Sequence, residues 1–158
     1  MNDKIVCKNI NQLDWKYKNE HDSYQYNKSE ITKRKDFSEA YVCVYEIMPL
    51  KSSYPKHYHT CNTECFYIVS GNGKIDTKND SFSIATGDII VFPSGEEGTH
   101  KITNTSDKEN LVYIDFDTTN SPDIIHYVDS NKIGIIKHNV SGTFYKESDN
   151  VDYFDGEK

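Results

Sequence analysis

The sequence predicts an all-β domain of the jelly-roll kind, and three observations carry that prediction. From residue 40 to residue 116, short apolar stretches recur at even intervals, each bounded by Gly, Pro, Asn or Asp. Almost no segment shows the 3.6-residue apolar period of an amphipathic helix. The stretches are rich in β-branched and aromatic residues, which suit a pleated, half-buried surface. Twelve Tyr, seven Phe and one Trp supply bulky core material although the hydrophobic fraction is only 35%. At 158 residues the chain suits one domain with a single core.

The elements follow in chain order. Residues 4–7 are expected to form a short strand, residues 19–29 an irregular polar segment dotted with aromatics, and residues 30–34 an edge strand blunted by its lysines. Residues 36–39 read as a turn. Residues 40–48 (AYVCVYEIM) then read as a buried strand stopped by Pro49. The segment 51–53 leads into a strand holding His57 and His59. The apolar run 65–69 ends at Ser70-Gly71-Asn72-Gly73, a hairpin signal from which residues 74–77 return. Residues 81–84 alternate polar and apolar, as a half-buried strand does. Gly87 turns the chain into 89–92, a continuous apolar strand stopped by Pro93. Residues 100–104 and 111–116 close the series. Residues 124–128 and 132–137 are further strands or extended arms. The aromatics Phe144, Tyr145, Tyr153 and Phe154 are expected to pack on the domain or on a partner subunit.

The chemistry centres on residues 55–73. His57 and His59 stand two apart, which in an extended strand turns both rings to one face. Glu64 follows after a polar stretch able to turn the chain, and His100 arrives in a later block. Three imidazoles and one carboxylate suit a divalent transition metal such as Mn, Fe, Co, Ni or Zn, and the residues do not select among them. Two histidines on one strand face are often mere surface residues. It is the addition of Glu64 and His100 that turns the reading to a metal centre. Cys61, between His59 and Glu64, is read as an ordinary thiol, and Tyr45, Tyr67, Phe92 and Tyr113 as candidate pocket-wall residues for which core packing is the better reading. The acidic loop 95–98 reads as a solvated turn rather than a mobile mouth.

His57-x-His59-x4-Glu64-x6-Gly71 resembles the first motif of the cupin superfamily, and Gly87-x5-Pro93-x-Gly95 with His100-x3-Asn104 resembles the second. The second departs in one respect: Glu96-Glu97-Gly98-Thr99 makes a longer loop before His100. The resemblance implies a small stand-alone cupin of the RmlC-like kind, a single-domain jelly-roll barrel or double-stranded β-helix spanning residues 1–158. Its core would cover about residues 40–117, with an N-terminal arm over 1–39 and a C-terminal extension over 118–158. It also implies His57, His59, Glu64 and His100 as metal ligands and a homodimer paired through terminal segments. A tail folded on its own subunit is the plainer alternative.

Composition narrows the function classes. Eighteen basic against twenty-five acidic residues give a net charge of −7, the wrong footprint for nucleic acid or an anionic membrane. Arg34 is the sole arginine, so a clustered phosphate clamp is unavailable. Residues 1–4 lack the apolar core expected of a signal peptide, no apolar run approaches membrane-spanning length, and the four cysteines form no CxxC pair. A cytoplasmic protein with reduced thiols is expected. Two classes stay open. One is a metalloenzyme acting on a small polar metabolite as an isomerase, decarboxylase or dioxygenase. The other is a non-catalytic sugar- or metabolite-binding module with the metal as anchor.

Overall fold

Thirteen strands arranged in two antiparallel sheets make up the computed structural model, which describes residues 5–33, 39–138 and 140–158. In chain order they are β1 (Lys16–His21), β2 (Tyr24–Glu30), β3 (Ala40–Ile47), β4 (His57–His59), β5 (Glu64–Ser70), β6 (Asn72–Thr77) and β7 (Ser81–Ala85). Then come β8 (Ile89–Phe92), β9 (His100–Asn104), β10 (Leu111–Thr118), β11 (Asp123–Tyr127), β12 (Lys132–Ile136) and β13 (Thr143–Lys146). One sheet runs β1-β2-β3-β10-β5-β8 and the other β13-β12-β11-β4-β9-β6-β7. Among the described residues the only helical pieces are single 3-10 turns, and no helix is long and apolar enough to cross a membrane. The all-β jelly roll expected from the strand spacing is the fold observed.

The core forms where strand alternation turns one face of each sheet inward. Ile47, Ile68 and Leu111 come from the first sheet, and Ile75, Ile84 and Ile102 from the second; all belong to one buried cluster. Each such side chain contributes about 1.5–3 kcal/mol on leaving water. Tyr45 and Tyr113 stack inside it with ring centroids 5.0 Å apart. Their hydroxyls are not stranded: Tyr45 meets the Tyr54 hydroxyl at 3.1 Å, and Tyr113 meets Ser53 at 2.9 Å. Asn104, at the end of β9, donates its amide to the carbonyls of Ile47, Met48 and Glu109 and so ties that strand to its surroundings.

Several expectations need correction. Residues 5–7 are not a strand, and residues 19–29 are not irregular. The latter form most of the β1–β2 hairpin, because β2 finds a partner in β3 with Ser29 opposite Val44 and buries Tyr26 beneath it. The expected edge strand at 30–34 ends at Glu30. Lys4, Arg34 and residues 36–38 lie outside the described residues. Gly71 does not turn a hairpin. It sits between β5 in one sheet and β6 in the other, so the chain crosses from sheet to sheet there. Its φ is +90°, and a Cβ at this corner would stand 2.6 Å from the Asn110 carbonyl oxygen. At the C-terminal end, β11 pairs with β4, β12 with β11 and β13 with β12, so Phe144 and Tyr145 pack on their own chain.

Candidate metal centre

The site lies between the sheets, where β4 and β9 of one face β5 of the other. His57 and His59 flank Tyr58 on β4, and alternation buries both imidazoles while Tyr58 stays partly exposed. His57 pairs in register with His100 on β9, ring centroids 4.8 Å apart. Glu64 is the first residue of β5 and points inward from the opposite side. All four are buried; none exposes more than 7% of its surface.

Hydrogen bonds set the direction of each ring. His57 Nδ1 lies 2.8 Å from the Pro55 carbonyl oxygen, and His100 Nδ1 lies 2.8 Å from that of Gly98. A carbonyl can only accept, so both Nδ1 atoms carry hydrogen, and in the neutral rings Nε2 is left as a lone pair. His59 Nδ1 donates to Asp123 Oδ2 at 2.5 Å, and a second Asp123 oxygen accepts the Cys61 backbone N–H at 3.0 Å. The three Nε2 atoms all turn toward Glu64. They stand 3.8 Å (His57), 3.5 Å (His59) and 3.1 Å (His100) from its carboxylate oxygens. A carboxylate or backbone carbonyl holding the outer nitrogen is the usual support for a metal-binding histidine.

The donor atoms fit a metal ion. His100 Nε2 and Glu64 Oε2 are close yet out of hydrogen-bond alignment, and both are buried without a partner. A cation held between them satisfies both atoms. Ligands in neighbouring positions, each about 2.0–2.2 Å from a zinc-like ion, stand roughly 3 Å apart, close to the His100–Glu64 spacing. His57, His59 and Glu64 each offer a ligand atom within 4.8 Å of the others. His100 joins this trio through Glu64, from the deeper side.

Charge is unevenly divided among the four. Burial pushes His57 down to about 4, helped by the neighbouring His100. For His59 burial acts the same way, but the Asp123 and Glu64 carboxylates outweigh it and raise the group to about 10. Burial would raise Glu64, yet the imidazoles of His100 and His59 hold its carboxyl well below the usual range.

Beside the trio lies a cavity of about 140 Å³. His57, His59 and Glu64 line one side of it; Asp115 and Asp117 of β10 line another, with Lys28, Ile125 and the rings of Tyr41, Tyr45, Tyr54 and Tyr127. The Lys28 ammonium lies 5.3 Å and 5.5 Å from the ring centroids of Tyr41 and Tyr45. Asp115 is buried, and its Oδ1 has no hydrogen-bond partner. Burial first, then the adjacent Asp117 charge, pushes the Asp115 carboxyl well above its normal range.

Of the candidate wall residues, Tyr45 lines the cavity and Tyr113 lies behind it in the core. Phe92 stacks on the His100 ring at 3.8 Å. Tyr67 points outward and is 40% exposed, because it follows Phe66 on a strand whose alternate residues face the core. Cys61 is exposed and outside the cluster. Glu96 and Glu97 extend into solvent and pair with Lys78 at 3.3 and 2.9 Å. The same loop supplies the Gly98 carbonyl to His100, and a Cβ at Gly98 would collide with the Pro93 carbonyl oxygen. The extra residues of the second motif are thus part of how His100 is aimed. Asp123, Asp115, Asp117 and Lys28 were not anticipated. Only the two β10 aspartates carried a signal, since they continue the inward alternation of Leu111 and Tyr113.

A family profile described as a cupin domain matches residues 43–117, the stretch that holds all four candidate ligands. No curated protein matches the chain. Among solved structures, a protein of Acidithiobacillus ferrooxidans described provisionally as a sugar phosphate isomerase superposes with TM-score 0.77 at 22% identity, covering 90% of this chain and 91% of that one. A sugar phosphate isomerase of Silicibacter pomeroyi, itself described as from a cupin superfamily, gives TM-score 0.76 at 14% identity, covering 93% and 96%. The polyketide cyclase RemF of Streptomyces resistomycificus gives 0.62 at 14% identity, covering 76% and 84%. At these identities the likeness is one of fold.

Proposed function

The chain belongs to the cupin superfamily, and from that premise we propose that residues 1–158 act as one metal-binding cupin domain. His57, His59, Glu64 and His100 hold one divalent transition-metal ion, and the adjoining cavity takes a small polar metabolite. The observation that carries this reading is the fixed outward Nδ1 hydrogen bond of all three histidines, which leaves three Nε2 atoms aimed at one carboxylate. The bound ion supplies Lewis-acid polarisation of a ligand oxygen.

The other walls favour a metalloenzyme of the isomerase, decarboxylase or dioxygenase type over an inert barrel. Asp115 brings a buried carboxyl with an unused oxygen to the cavity, able to hydrogen-bond a ligand hydroxyl. Lys28 offers a cation for an anionic group, and the surrounding tyrosine rings exclude water from the ligand's apolar edges. The two neighbours described as sugar phosphate isomerases make phosphorylated sugars the first compounds to test.

Metal analysis of protein reconstituted with Mn, Fe, Co, Ni or Zn tests the centre. One ion per chain is expected in the wild type and none in His57→Ala or His100→Ala, with the β-type circular dichroism spectrum retained. A double variant that still holds one ion per chain refutes the ligand set. Turnover screens on the loaded protein test the enzyme reading. Thermal stabilisation by a metabolite without turnover points instead to a non-catalytic binding module.

A further inference from the structure

The strand β10 carries acids where a core strand carries apolar side chains. Its inward face runs Leu111, Tyr113, Asp115, Asp117, all buried, and the first two belong to the core cluster. Asp117 stands in register with Glu64 of β5, and Asp115 with Phe66, the next inward residue of that strand. The pairing gathers a second group of potential ligands beside the histidines. Glu64, Asp115 and Asp117 each offer an oxygen within 4.8 Å of the others. The two aspartates expose only 4% and 5% of their surface.

Buried carboxylates are normally paired or coordinate a metal, because an isolated one is costly to take out of water. An ion held by His57, His59, Glu64 and His100 engages Glu64 and leaves Asp115 unanswered. Asp115 Oδ1 is buried without a hydrogen-bond partner. Lys28 lines the same cavity, but its ammonium lies over the rings of Tyr41 and Tyr45. All three carboxylates border that cavity of about 140 Å³, which has room for several waters.

We propose that Glu64, Asp115 and Asp117 form a second cation site, which shares Glu64 with the histidine centre and takes magnesium. Its protein donors are all carboxylate oxygens. Such hard ligands suit magnesium, whereas imidazole suits the transition metals. Magnesium is six-coordinate and keeps several waters, so a few protein oxygens beside a water-sized cavity meet its needs. Glu64 can serve both ions, because an ionised carboxylate offers two oxygens and about four lone-pair sites. An ion held largely through water exchanges readily and leaves on desalting, so it adds nothing to the transition-metal count per chain. Its waters face the cavity, and an anionic ligand oxygen can replace them. That consequence rests on the metabolite cavity proposed above; the site itself rests on β10 and Glu64.

Calorimetric titration of magnesium chloride into the desalted, zinc-loaded full chain at fixed ionic strength reads the site, with zinc measured on the same sample. One magnesium per chain is expected, with zinc staying at one. Asp115→Asn and Asp117→Asn keep the side-chain shape, and each is expected to weaken magnesium about tenfold or more while the zinc content holds. Magnesium should raise the melting temperature of the wild type above its magnesium-free baseline, and not that of Asp115→Asn. No uptake at millimolar magnesium, with zinc at one per chain, would overturn the site and leave the histidine centre standing; the two aspartates would then share a proton or serve the ligand directly. Equal uptake by the wild type and both variants would put the ion elsewhere and overturn the site too. A chain that takes up no zinc would instead refute the histidine centre, and the same titration on the zinc-free chain then decides the magnesium site.

Discussion

Metal binding at this centre should release close to one proton per ion at pH 8, and the proton should come from His59. The number follows from how the three groups with resolved shifts are held. His57, pushed down to about 4 mainly by burial, has no proton to lose at pH 8. Glu64, held well below the normal carboxyl range against the effect of burial, has none either. His59, raised to about 10 because Asp123 and Glu64 outweigh burial, keeps its Nε2 proton, and a ligand nitrogen must give that proton up. Zinc titrated calorimetrically into metal-free protein, in buffers of different ionisation enthalpy, reads the count directly. The count should fall toward zero as pH rises past about 10, and apparent affinity should climb about tenfold per pH unit below that point. The metal-free protein carries the same signature in its stability. His59 lies above its ordinary value of 6.5, so its contribution is complete below pH 6.5 and is lost as pH rises toward about 10. His57 lies below 6.5, so the unfolded chain binds a proton that the folded chain refuses, and stability is lost as pH falls from 6.5 toward about 4. Asp123→Asn should cut the proton count, flatten the alkaline loss and change metal affinity by about 10–100-fold. No proton released at pH 8 by the wild type, or no change in the count with Asp123→Asn, would refute the reasoning.

Two further outcomes test the supports of the site. Gly98→Ala must move the 95–98 loop, because its Cβ overlaps the Pro93 carbonyl. It should cost about 1–3 kcal/mol, lower the melting temperature by roughly 2–4 °C for each kcal/mol, and weaken metal binding as the Gly98 carbonyl leaves His100. An unchanged melting temperature and affinity would show that the loop plays no part in aiming the ring. Asp115→Asn should act in the opposite direction. Burial and Asp117 raise the Asp115 carboxyl above its ordinary 3.8, so this residue costs stability as pH rises above that value. Removing the charge should raise the melting temperature at pH 7 and shrink the difference between pH 7 and pH 4. A melting temperature lowered at pH 7 would contradict the assigned cost.

Much of the fold was legible because strand alternation is a local property. His57 and His59 share a face whatever lies beyond them, and the apolar runs at 65–69 and 89–92, bounded by turn residues, read as strands. What was not legible depended on pairing between distant segments. Gly71 needs its positive φ equally in a hairpin and at a crossing between sheets, so the glycine alone cannot say which strand comes next. Residues 19–29 are poor in β-branched side chains and become strand only because β3 offers an edge and a place for Tyr26. Asp123 reaches His59 across sixty-four positions of sequence, through the pairing of β11 with β4 that no nearby residue announces.

The same distinction applies to the strands beneath the site. A continuous apolar strand such as Ile89–Phe92 needs cover on both faces. Inside, Phe92 lies against His100 and Phe66, and Ile90 packs on the core. Outside, Ile89 and Val91 have no comparable cover from the described chain. The inner face of β5 and β8 thus builds the floor beneath the candidate ligands: Glu64 opens β5 opposite Phe92, and the Phe92 ring stacks on His100.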